Sequence, residues 1–158
     1  MIKLYGRDLA GRIERYHEAW LIGDNITEHF GILGSMGQTK AHKLRRNLSN
    51  EDNLELVLST ARQHGFAPVA IESHAWLIVE YTNAAHSTRE ERVKLEEVEH
   101  RLDERLGWTG LGHCDGYGFG SGTMEVACRV VDFRLAREVV QKDLAGTKYG
   151  DYSAIYGG

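Results

Sequence analysis

A single proline and two cysteines stand in a chain of 158 residues. Two cysteines are too few for a disulfide scaffold, and so small a number fits a reducing, cytoplasmic environment. Long apolar runs are missing as well, which excludes a transmembrane helix. Met1 to Asp8 carry no apolar stretch of the kind a secretion signal needs, so no export is expected. Internal repeats and low-complexity segments are absent, which sets fibrous classes aside. Also lacking is a basic excess: the formal net charge is −4. What remains is ordinary globular material, 42% hydrophobic and 27% charged, long enough for one domain or two small ones packed together.

The charge is unevenly spread. Residues 1–70 hold nine Lys/Arg against eight Asp/Glu, giving +1, and residues 71–158 hold ten against fifteen, giving −5. Neither half has the surplus of a free-standing nucleic-acid binder. One basic cluster stands out, Lys40, His42, Lys43, Arg45 and Arg46. It reads either as a solvated strand end or as a patch that faces phosphate.

The front of the chain reads as a small antiparallel meander followed by a helix. Ile13–Ile22 is aromatic and aliphatic, Gly23-Asp24-Asn25 supplies a turn, Ile26–Leu33 returns, and Gly34–Gly37 turns again into a strand over 38–44. Ser49 then caps a helix with an acidic residue three positions on, its apolar face is Leu54, Val57, Leu58 and Ala61, and Gly65 stops it. Pro68 marks the boundary, so the expected units are 1–68 and 69–158.

The second unit has a different rhythm. Trp76–Tyr81 is a strand with apolar residues on both faces, so both sides are expected to be covered. Ser87-Thr88-Arg89-Glu90 is a capping-box pattern that opens a helix ending near Leu106, with Leu95, Val98, Leu102 and Leu106 as its stripe. The helix's many Glu and Arg residues read as a solvated face. Seven of the eighteen glycines fall in 107–122, and Met124, Val126, Cys128 and Val130 then alternate at period two, which reads as a hairpin. Asp132 caps a last helix carrying Ala136, Val139, Val140 and Leu144. The order is βαββα, and a short tail strand near Tyr149, Tyr152 or Tyr156 would complete βαββαβ; alternatively those tyrosines dock on the body. The expected fold class is α+β.

The segment His29-Phe30-Gly31-Ile32-Leu33-Gly34-Ser35-Met36-Gly37 resembles the signature turn of the WGR domain family, over roughly residues 3–66. Gly31, Leu33, Gly34 and Gly37 match the motif, while Phe30 stands in place of its tryptophan and Ile32 in place of its arginine. The resemblance implies that fold and a capacity to bind nucleic acid, although without the arginine best suited to a phosphate. Asp115-Gly116 to Val126 is similar to a hairpin of small bacterial ferredoxin-like domains, over about 74–146, some of which resemble immunity proteins of toxin systems. That second likeness implies a ferredoxin-like plait and a binding role.

No residue pattern calls for a cofactor. Gly118-Phe119-Gly120-Ser121-Gly122 runs into a strand rather than a helix, so it is a hairpin and not a pyrophosphate loop. The histidines are scattered and lack a zinc spacing, so no metal is expected. With the hairpin turn centred near residue 121, Cys114 lies opposite Cys128 on the core face, and His113 and Asp115 point the other way. No catalytic residue is assigned, and both cysteines are expected as buried thiols. His113, Asp115 and Arg129 form the expected recognition patch for a protein partner. Trp76 and Ile78 are an expected interface, covered by the front unit or by a second copy in a homodimer, and Trp20, Trp76 and Trp108 are expected anchors. The leading expectation is a cytoplasmic, non-catalytic protein that binds another protein, of an inhibitory or immunity type. The alternatives are a nucleic-acid-binding module using Lys40, Lys43, Arg45 and Arg46, and a small enzyme using His113, Cys114 and Asp115.

Overall fold

The structure, a computed structural model, describes residues 1–83 and 88–157. Four strands, β1 (Ile2–Arg7), β2 (Ile13–Ile22), β3 (Asn25–Ile32) and β4 (Gln38–Lys43), pair in sequence order as an antiparallel sheet, followed by α1 (Asn50–Gln63). A second antiparallel sheet has the order β6-β7-β5-β8, built from β5 (Ala75–Thr82), β6 (Gly112–Phe119), β7 (Thr123–Val130) and β8 (Ala154–Tyr156). Helices α2 (Arg89–Trp108) and α3 (Phe133–Leu144) interleave with these strands. The fold is α+β, and the back of the chain has the βαββαβ element order.

Helix ends follow local chemistry. Ser49 accepts the Asp52 amide, and Asp132 accepts the Leu135 amide, so each side-chain oxygen satisfies an amide that the helix itself leaves unpaired. The capping box of α2 is one residue later than the sequence pattern suggested. Thr88 and Glu91 make it reciprocally, while Ser87 lies outside the described residues. The helix also runs through Gly107 to Trp108, where Leu106 is buried and the Trp108 carbonyl accepts from the Tyr16 hydroxyl.

Alternation decides the layers. One face of the first sheet, Leu4, Ala19 and Ile26, packs under Leu54, Leu58 and Ala61 of α1. Leu77, Val79, Tyr81, Val126 and Cys128 of the second sheet pack under Leu95, Val98 and Leu102 of α2 and Ala136, Val140 and Leu144 of α3. Each fully buried Leu or Val here contributes roughly 2 kcal/mol through lost water contact. The buried carboxylate of Asp143 on α3 clamps α2 through Arg101 (2.6 Å) and Arg105 (2.6 Å).

Three features go beyond what the sequence reading specifies. Strand β1 precedes the meander, and both its faces are used: Leu4 faces α1, and Tyr5 joins the main core. Its half-apolar pattern offers no clean alternation that would mark it as a strand. The main core also takes Tyr16 and Leu33 from the first sheet, so the two units share one interior across Pro68. The first sheet meets the second unit at the 105–112 corner and at Leu135 of α3.

The motif glycines explain that docking. The amides of Gly34 and Gly37 point to the carbonyls of Thr109 (2.9 Å) and Trp108 (3.4 Å). Gly34 sits at φ 82°, with Leu135 where a Cβ would stand, and a Cβ on Gly37 would overlap the Tyr16 hydroxyl and His29 Nε2. Glycine is required here for close approach to the rest of the chain.

Candidate binding site

A cavity of about 650 Å³ lies where the first sheet meets the end of α2. Period-two alternation sends Tyr16, Glu18 and Trp20 of β2 to that side, and the pairing Glu18↔His29 adds the imidazole from β3. From the other unit come Asp103, Glu104 and Trp108 of α2, with His74 and His113 at the edge. Trp20, His29 and Trp108 meet edge to face, with ring centroids 4.8 Å apart for His29–Trp108 and 6.4 Å for Trp20–Trp108.

A hydrogen-bonded chain forms the wall. His29, 1% exposed, donates from Nδ1 to Glu18 at 2.8 Å, and its Nε2 shares a 3.0 Å hydrogen bond with the Tyr16 hydroxyl. Tyr16 also donates to the Trp108 carbonyl at 3.1 Å, and the second Glu18 oxygen meets Lys3 Nζ at 3.3 Å. Burial, together with the Glu18 charge, pushes the Tyr16 phenol up to about 12, so it stays protonated at neutral pH and serves as a donor. His74 is lowered from its ordinary value by burial, then by the neighbouring His113, Lys3 and Arg129. Both His74 ring nitrogens are enclosed and have no hydrogen-bond partner among the described residues.

The cavity edge at His113 continues onto the uncovered face of the second sheet. His113 pairs with Arg129 across β6 and β7, and Arg129 pairs with Trp76 across β7 and β5. The Arg129 guanidinium lies 3.5 Å from the Trp76 ring centroid and 3.8 Å from Asp115. The three expected recognition residues therefore come together. Trp76 is half-buried beneath the Arg129 side chain of the neighbouring strand. Ile78 sits further along the same face, between Ala127 and Tyr156.

A bulge shapes this edge. Register shifts between Cys114 and Gly116, which leaves Asp115 outward with Gly116 and returns the next residues to the helix side. Tyr117 thus donates to Glu96 of α2, and Phe119 lies under Arg92. The Cys114 thiol turns inward to Cys128, and the Cys128 contact and burial raise its pKa. His113 and Asp115 therefore do not join Cys114 in one reacting constellation.

The basic cluster sits elsewhere. Lys40, Lys43 and Arg45 border a second cavity of about 630 Å³ between β4 and α1, while Arg46 is exposed and stands apart from it. Among the described residues these four cations form no ion pair. Deeper in, the two oxygens of Glu28 meet Nε2 of His17 and of His42, each at 2.6 Å. Burial alone would raise Glu28, but the hydrogen bonds from His42 and His17 outweigh it and hold the carboxyl below its ordinary range.

Sequence reasoning missed Tyr16, Glu18, His29 and His74. Glu18 between Tyr16 and Trp20 on one face of β2 was the available signal, since a carboxylate on a covered face needs partners. No described helix is long and apolar enough to cross a membrane, and no group of three or more metal-ligating side chains occurs among the described residues. Comparison with protein-family models, curated proteins and solved structures finds no match.

Proposed function

We propose that this chain is a non-catalytic binding protein whose partner is another, basic protein, in keeping with the inhibitory or immunity-type role that the ferredoxin-like resemblance of residues 74–146 implies in a bacterial cytoplasm. The observation that carries the reading is continuity. The aromatic cavity and the Trp76–Arg129–Asp115 surface share the edge at His113, so one partner can grip both. The cavity walls are Trp20 and Trp108, with Asp103 and Glu104 beside them, a combination that suits a Lys or Arg side chain with an aliphatic stem. A buried anchor beside a polar rim is how protein interfaces concentrate affinity.

Selection of a random peptide library on the immobilised chain tests this. Recovered peptides should carry Lys or Arg next to an apolar residue. Their affinity should fall about tenfold in Glu104→Gln or Asp115→Ala, which is about 1.4 kcal/mol, with thermal unfolding unchanged. Peptides without a basic residue, or affinities that neither variant moves, would reject the reading. Sedimentation of the free chain tests the homodimer as the rival occupant of Trp76 and Ile78.

A second reading rests on the unpaired Lys40, Lys43 and Arg45 at the β4–α1 cavity, and it makes the front unit a WGR-like nucleic-acid module. With three such cations, duplex affinity should fall with a log–log salt slope of roughly −3. A slope near zero eliminates it.

A further inference from the structure

We propose that Cys114 and Cys128 form a reversible intrachain disulfide across β6 and β7 when the protein meets a low-molecular-weight disulfide. The two residues are register partners in neighbouring antiparallel strands, with their sulfurs 2.7 Å apart. Strand β6 is an edge, with β7 as its sheet neighbour. The Cys114 amide donates outward, to Asp103 of α2 at 2.9 Å. A residue whose amide points away from its neighbouring strand belongs to a non-hydrogen-bonded pair. In such pairs the Cα atoms approach to about 4.5 Å and the side chains lie closest. That separation falls within the roughly 4.4–6.8 Å that a disulfide spans. Both thiols are free, and both lie on the helix-covered face.

Access is one-sided. Cys128 is fully buried, whereas Cys114 is half-buried on the edge strand. The Cys114 thiolate therefore attacks one sulfur of the oxidant, forming a mixed disulfide and expelling one thiolate. Cys128, after losing its proton to solvent, attacks the Cys114 sulfur and expels the second half of the oxidant as a thiol. One S–S bond is lost from the oxidant and one is gained by the protein, two electrons pass to the oxidant, and two thiol molecules leave. The groups facing Cys114 are Cys128 across the ladder and Asp103 and Glu99 on α2. They favour the protonated thiol, so the reaction is slow at neutral pH and speeds up as the pH rises, about tenfold per unit. The product would fasten β6 to β7 directly beside His113 and Asp115.

The test treats the native full chain with oxidised glutathione, quenches with acid, alkylates free thiols and measures mass. The expected product has lost about 2 Da, all within the tryptic peptide 106–129, which holds both cysteines and no internal Lys or Arg. It retains no glutathione and takes up no alkylating agent, and dithiothreitol restores two reactive thiols. In Cys128→Ser, glutathione should remain attached at Cys114, because no resolving thiol is present. A stable glutathione adduct on the wild-type chain would overturn the proposal. So would disulfide-linked dimers, or two free thiols under conditions that fully oxidise the same chain in urea.

Discussion

Removing the hydroxyl of Tyr16 strikes the point where the two sheets are joined. Tyr16 is 1% exposed, and Tyr16→Phe keeps the ring's packing against Gly110, so only the volume of one oxygen is vacated. What is lost is one hydroxyl that meets His29 Nε2 at 3.0 Å and donates to the Trp108 carbonyl at 3.1 Å. The carbonyl keeps a long bond from the Gly37 amide at 3.4 Å. His29 Nε2 is left with no partner in a site shut off from water. An orphaned buried polar atom costs about 1–3 kcal/mol, so we expect a loss of about 2 kcal/mol. For a chain of this size that lowers the midpoint of thermal unfolding by about 4–8 °C. Urea denaturation followed by tryptophan fluorescence reads the same quantity, because Trp20 and Trp108 flank the site. Tyr156→Phe is the control: its hydroxyl donates to Glu125 at an exposed position and should cost less than about 0.5 kcal/mol. A Tyr16→Phe loss no larger than the control's would refute the claim that this hydroxyl ties the halves together.

Gly34→Ala should destabilise by about 1–3 kcal/mol, from the left-handed backbone and the overlap with Leu135, and an unchanged melting point would count against the docked turn. His74 takes up a proton less readily folded than unfolded, its ordinary value being 6.5. Stability should therefore fall as pH drops through that value, and His74→Leu should flatten the decline between about pH 7.5 and about pH 5.5 in pH-resolved urea titrations. Glu28 is held below its ordinary 4.5, so its contribution is present above that pH and is lost as pH falls through its folded value. Glu28→Gln should remove that part of the acid limb. If the nucleic-acid reading holds, Lys43→Glu with Arg45→Glu should reduce duplex affinity at physiological salt at least about tenfold in a labelled-duplex titration. An unchanged titration curve would dismiss that cavity as the contact.

Elements whose physics is local are legible in the residues alone. Ser49 and Asp132 mark helix starts because a side-chain oxygen reaches an amide three residues on. Residues 124–130 declare a strand because successive side chains must alternate. The Cys114–Cys128 pairing needs the bulge as well as the turn: reflection of Phe119 onto Met124 alone would set Cys114 opposite Arg129, and the one-residue register shift before Gly116 brings it to Cys128. Features that depend on residues far apart in the chain emerge only once it is folded. The bulge at Asp115 sends Tyr117 and Phe119 to the helix side, although simple alternation from Asp115 would place both outward. Glu18 and His29 became a buried pair because β2 and β3 place them opposite each other. Tyr16 found the Trp108 carbonyl 92 positions away, and Gly34 and Gly37 found the backbone of the same corner. Glycine in a turn reads alike whether it serves the turn alone or a neighbouring surface. Only the closed chain, with Leu135 packed on Gly34, separates the two, because close approach is a property of two segments and neither segment's composition records it.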